Sequence, residues 1–243
     1  KCIYIICLVK ELRMKFFAPT KIIYFLFLFL FVVFTNISGQ NTTDTQPQYL
    51  NNPNYNIELG KYKNYMMKQA DIVMLGNSLT HGINWNELLD RKSISEQGIP
   101  SDITEGVVNR MEYIFKVNPK ICFVMIGVND VFSWIPIETI FANYKIILEK
   151  LKEKNIIPVI QSVLYAGTTQ PSAENRNVEI TKLNALLSKY ASENNIEFIN
   201  LNRKMSTSNF LKQELTIDGI HLNGEGFKLW GREVDKVLRK FSL

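Results

Sequence analysis

Ser78 stands in the run Gly76-Asn77-Ser78-Leu79-Thr80, directly after the apolar stretch 72–75. A serine hydroxyl at such a place does covalent chemistry only if a base takes its proton; otherwise it caps the helix that follows. The chain contains two histidines, His81 and His221, so the base must be one of them. His221 closes the run Asp218-Gly219-Ile220-His221. That spacing lets the carboxylate accept from the ring Nδ1–H and leaves Nε2 free. His81 has no acid offered so directly and is expected to touch substrate at the cleft mouth or to be a bystander. Two further groups could stabilise a developing oxyanion: the backbone N–H of Gly98, where a side chain would be in the way, and the amide of Asn129 in Gly127-Val128-Asn129-Asp130. Each feature alone also fits an ordinary turn.

Groups so far apart in sequence must be gathered by the fold. Short apolar runs predict strands over 72–75, 93–96, 121–126, 157–162 and 197–199. Amphipathic stretches predict helices over 85–90, 103–117, 137–154, 176–194 and 225–241. Asp102 with Glu105 reads as a capping box, Pro136 as a helix start and Asn223 as an N-cap. Alternation of strand and helix implies a parallel sheet covered on both faces, with chemistry at the carboxyl ends of its strands. Ser78, Gly98 and Asn129 each follow one of those strands.

In that order the four blocks around Ser78, Gly98, Asn129 and Asp218/His221 resemble those of the SGNH/GDSL hydrolases, over roughly residues 70–235. The resemblance implies an α/β fold: a flavodoxin-like three-layer α/β/α sandwich with a five-stranded parallel sheet. It also implies an acyl-enzyme mechanism needing neither metal nor cofactor. Ser78 would be nucleophile and hole donor, Gly98 and Asn129 the other donors, His221 the base and Asp218 its orienter. Asn77 departs from the family pattern, which has Asp there; that residue supports the turn and leaves the triad unchanged. A Gly-x-Ser-x-Gly elbow is absent, because Thr80 stands where the second glycine belongs.

The net charge of +5 is concentrated at the start of the chain, where Lys1, Lys10, Arg13, Lys15 and Lys21 face only Glu11. The remainder is nearly neutral, which argues against nucleic acid as a partner. From Met14 the sequence reads as an export signal: two lysines, an apolar run over 22–34, then small and polar residues to a cleavage point near Gly39/Gln40. That run would span about 20 Å as a helix, short for a bilayer core of about 30 Å, so a cleaved leader is expected over a retained anchor. The expected organisation is an upstream extension and signal over 1–40, a polar tether over 41–68 and a catalytic domain over 69–243. Cys122, in an apolar strand, reads as core filler. Trp134 and Tyr165 are expected either to border the substrate pocket or to line surface loops. With no long lid insertion in 69–243, the expected substrate is a short acyl ester such as O-acetyl on a carbohydrate. A lysophospholipase or thioesterase for longer chains, or a non-catalytic glycan-binding relative, are the competing expectations.

Overall fold

Residues Ile72–Gly76 (β1) and Ile121–Met125 (β3) are buried throughout. Strands apolar on both faces belong to a parallel sheet covered on each side. The computed structural model describes residues 46–243, which form one unit, and the expected leader, cleavage point and upstream extension lie outside the described residues. Among those residues no helix is long and apolar enough to cross a membrane.

In chain order the elements are α1 (Pro53–Asn64), β1, α2 (Ser78–His81), α3 (Trp85–Leu88), β2 (Ile94–Gly98), α4 (Thr104–Val108), α5 (Met111–Lys116), β3, α6 (Val128–Phe132) and α7 (Ile137–Glu153). There follow β4 (Ile157–Gln161), α8 (Ala173–Glu193), β5 (Glu197–Ile199), α9 (Asn202–Met205), a hairpin of β6 (Ser206–Thr207) and β7 (Phe210–Leu211), and α10 (Gly224–Lys240). The main sheet has the order β2-β1-β3-β4-β5 with every pairing parallel, the expected fold class. Strand order reverses at β1, so a crevice opens beyond the carboxyl ends of β1 and its neighbours. The register pairs Gly76 with Gly98 on one side and Met125 on the other, which levels those three ends.

Three local expectations are corrected. The stretch expected as a tether contains α1, which begins with Asn52 as a side-chain cap and Pro53 at its first turn and buries Tyr55 and Tyr62. The helix expected over 103–117 is broken between α4 and α5. At the break Arg110 leaves helical geometry (φ −124°) and turns inward, where its Nε meets Asp102 Oδ2 at 2.8 Å and one Nη donates to Gly76 O at 3.0 Å. Asp102 therefore makes no capping box; its Oδ1 accepts from Ile103 N instead. Asn223 does cap α10, accepting from the amides of Glu225 and Gly226.

An aromatic contact ties the last helix to the elements that follow β1. Trp85 of α3 and Trp230 of α10 meet edge to face at 4.8 Å, both fully buried. Each indole N–H is satisfied, Trp85 by Thr80 O and Trp230 by Gln161 Oε1. Cys122 is buried in β3, and burial pushes its thiol well above the ordinary range, so it is inert filler as expected.

Candidate active site

Ser78 opens α2 two residues past the end of β1. Asn77, buried to 1% exposure, caps that turn by accepting from Leu79 N at 3.0 Å. An amide oxygen makes this bond as an aspartate would, so the turn is held without a charge beside Ser78. Across the crevice, Ser78 Oγ lies 3.0 Å from His221 Nε2, and His221 Nδ1 lies 2.7 Å from Asp218 Oδ2. The other Asp218 oxygen accepts from the amides of Ile220 and His221 at 2.8 and 2.7 Å. Partial burial pushes the Asp218 carboxyl up, but the hydrogen bonds from the His221 ring and from these amides outweigh it and hold it below the usual carboxylate range.

The turn between Asp218 and His221 depends on Gly219. It sits at φ +93°, and a Cβ there would come within 2.5 Å of Thr169 Oγ1. Thr169 Oγ1 and Gln170 Nε2 both donate to Asp218 O, at 3.2 and 2.7 Å, and Thr216 Oγ1 donates to His221 O at 2.6 Å. The loop after β4 thus braces the acid, a role that sequence reading missed: contacts between residues 48 apart leave no local pattern.

The two expected hole donors stand at the same end of the sheet. Asn129 lies in the first turn of α6, and its Nδ2 donates one hydrogen to Asp102 O at 2.8 Å, leaving the second for another acceptor. Gly98 ends β2, where a Cβ would come within 2.6 Å of Asn77 O and His81 N. Its N–H donates to the Glu96 carboxylate, whose Oε2 lies 3.3 Å from His81 Nδ1. No acid stands near His81 in sequence, but the fold supplies one: Glu96, on the neighbouring strand, is its partner. Burial raises the Glu96 carboxyl, against the pull of the Gly98 amide and His81.

Of the remaining expected residues, Trp134 is 59% exposed, with its ring over the Arg176 guanidinium at 3.4 Å. Tyr165 shares a hydrogen bond with Thr181 Oγ1 at 3.0 Å. Neither side chain is hydrogen-bonded to Ser78, His221 or Asp218.

Next to Asn129, the buried Asp130 carboxylate accepts from Thr104 N at 3.0 Å and from Thr104 Oγ1 at 2.5 Å, anchoring the start of α4. Burial raises this acid to about 6 despite those bonds. Between the unfolded value near 4 and that figure, the native protein binds more protons than the unfolded chain, so this group's contribution falls as pH rises through about 6. The total change is on the order of 2–3 kcal/mol. Asp130→Asn is expected to flatten the stability difference between pH 4.5 and 7.5 by about that much. Urea unfolding at the two pH values measures it, and an unchanged difference would show that Asp130 titrates normally.

A serine hydroxyl, an imidazole, a carboxylate and amide donors gathered at one end of the sheet form an arrangement suited to acyl transfer. Over residues 74–229 the sequence matches the GDSL-like Lipase/Acylhydrolase family. Among solved structures the fold is similar to a GDSL-like lipase from Bacteroides thetaiotaomicron, with TM-score 0.68 and 23% identity over 77% of this chain and 98% of that one. It is also similar to an acetyl xylan esterase, with TM-score 0.58 and 21% identity over 69% of this chain and 98% of that one. An N-acylneuraminate cytidylyltransferase of Streptococcus agalactiae serotype III is 28% identical over 165 residues, 68% of this chain. The matched stretch is 38% of that relative, so the chain spans less than half its length.

Proposed function

The chain belongs to the GDSL-like lipase/acylhydrolase family, and from that premise we propose that it is an exported serine esterase removing short acyl groups, O-acetyl on carbohydrate above all. The observation that carries the esterase reading is the unbroken chain from Ser78 Oγ through His221 to Asp218. In the proposed cycle Ser78 Oγ attacks the ester carbonyl as His221 Nε2 takes its proton. The oxyanion is met by the N–H groups of Ser78 and Gly98 and by Asn129 Nδ2, displacing the Glu96 carboxylate from Gly98. His221 then gives its proton to the departing alcohol. Water, deprotonated by the same ring, attacks the acyl-enzyme, and the acid leaves with Ser78 restored.

Three observations support a short acyl group on a bulky polar acceptor. The Asp218 and His221 side chains are 45% and 43% exposed, so the reacting centre opens to solvent and is not sunk in a tunnel. Trp134, braced from below by Arg176, presents a flat aromatic face of the kind that stacks on sugar rings. The similar proteins include one named for acetyl xylan and one named for an N-acylneuraminate, both acylated carbohydrates. The export part of the reading rests on the apolar run over 22–34 behind Lys15 and Lys21. N-terminal sequencing of the mature protein tests it.

A series of p-nitrophenyl esters separates the substrate classes. The highest kcat/KM is expected at acetyl, falling at least tenfold by C8, with activity on acetylated sugars exceeding that on lysophospholipid. A preference for C8 or longer would replace this reading with the lipid-ester one. Failure of a fluorophosphonate to label Ser78 would leave only a non-catalytic relative.

A further inference from the structure

The family match begins at residue 74, yet the loop that carries Gly98 is held in part by residues before it. Tyr62 Oη donates to Gly98 O at 2.7 Å, and Asn52 Nδ2 donates to Pro100 O at 2.8 Å. The loop's other fastenings are internal to the domain: Ile99 N donates to Gly76 O, Asp102 N to Ile99 O, and Asn129 Nδ2 to Asp102 O. Four carbonyls between 98 and 102 are therefore tied down, two of them by α1 and its cap. Ile99, fully buried, packs with Tyr55 and Tyr62 in a small apolar cluster that Leu59 and Tyr113 flank. Lys116 Nζ donates to the carbonyls of Tyr62, Lys63 and Tyr65, each at 3.1 Å, which pins the far end of α1. Burial pushes the Tyr62 hydroxyl far above its ordinary range, so it remains a donor at every working pH.

We infer that Tyr62 is a positioning residue: by holding the Gly98 carbonyl it restricts the rotation of Gly98 and so the direction in which the residue's N–H meets the oxyanion. This rests on the esterase reading and on Gly98 as a hole donor. Gly98 lacks a side chain to limit its backbone, so its direction must be imposed from outside. Its carbonyl lies in the peptide after the one that carries its N–H; a hydrogen bond to that carbonyl from a phenol locked in an apolar cluster fixes the following plane and, with Ile99 N held by Gly76 O, limits the residue's rotation. Losing a hole donor outright costs about 100- to 1,000-fold in kcat, and loosening one should cost less.

Tyr62→Phe removes only the hydroxyl. It is expected to lower kcat for p-nitrophenyl acetate about tenfold with KM within twofold, and to slow fluorophosphonate labelling of Ser78 by a similar factor. Leu59→Ala, on the same helix, trims the cluster and leaves the hydroxyl in place; it should lower the melting temperature while kcat stays within twofold. If Tyr62→Phe keeps wild-type kcat and labelling rate, or if Leu59→Ala loses kcat in the same proportion, Tyr62 is merely structural and the inference fails. If the wild-type protein itself is not labelled at Ser78, the esterase reading fails first, and the two failures are told apart.

Discussion

Ser78→Ala is expected to lower kcat for p-nitrophenyl acetate by about six orders of magnitude, the scale on which other serine hydrolases lose activity when the nucleophile goes. In the proposed cycle its oxygen forms the covalent bond, and neither neighbour offers a substitute: His81 faces Glu96, and Cys122 is sealed in the sheet. Alanine retains the turn, because Asn77 caps it from its own side chain and Gly76 O is held by Arg110. The cost in stability should be below about 1 kcal/mol, that of one partly exposed hydrogen bond. Residual catalysis above the uncatalysed rate would come from the amide donors alone. Circular dichroism and a melting curve establish that the variant is folded; a folded variant retaining even a hundredth of wild-type kcat would remove Ser78 from the mechanism.

The same residues show which parts of the site a sequence can carry. Ser78 and Asn129 follow strands whose apolar runs are visible, Gly98 ends the more polar β2, and a parallel sheet brings such strand ends together. Asp218 and His221 are three residues apart, so their contact is local and spacing alone suggested it. Glu96 was different. Its partner His81 belongs to another element, and only the β1/β2 register brings the two side by side. Thr169 and Gln170 reach Asp218 only after β4 and the final loop have been placed.

The two departures in secondary structure have different physical causes. The break at Arg110 is set by a buried ion pair, which overrides the helical pattern of the residues around it. Helix α1 could have been found. Tyr55, Leu59 and Tyr62 recur at helical spacing behind an Asn-Pro start, but tyrosines among asparagines read as polar. Their rings are apolar bodies with one polar tip, and here the tips reach into the domain to carbonyls of Gly98 and Gly106.

Asp218→Asn separates the two tasks this residue performs. One oxygen accepts from the amides of Ile220 and His221 and shapes the turn; the other accepts from His221 Nδ1. Asparagine can keep the first task with its carbonyl oxygen, so the turn should persist and KM should change little. It cannot keep the second. Its NH₂ group would face Nδ1 and favour the tautomer that carries the proton on Nε2, where it obstructs removal of the Ser78 proton. The negative charge that balances the imidazolium in the transition state is lost as well. A fall of about 10⁴ in kcat is expected, as in other triads given this substitution. Because its hydrogen bonds hold Asp218 below the usual carboxylate range, the wild-type acid stays ionised down to pH values where an ordinary carboxylate would be half protonated. The deficit of the variant should therefore persist across pH 5 to 8. A loss below tenfold would mean that Asp218 only caps the turn, and a deficit that disappeared towards pH 5 would mean that its carboxyl protonates in the working range.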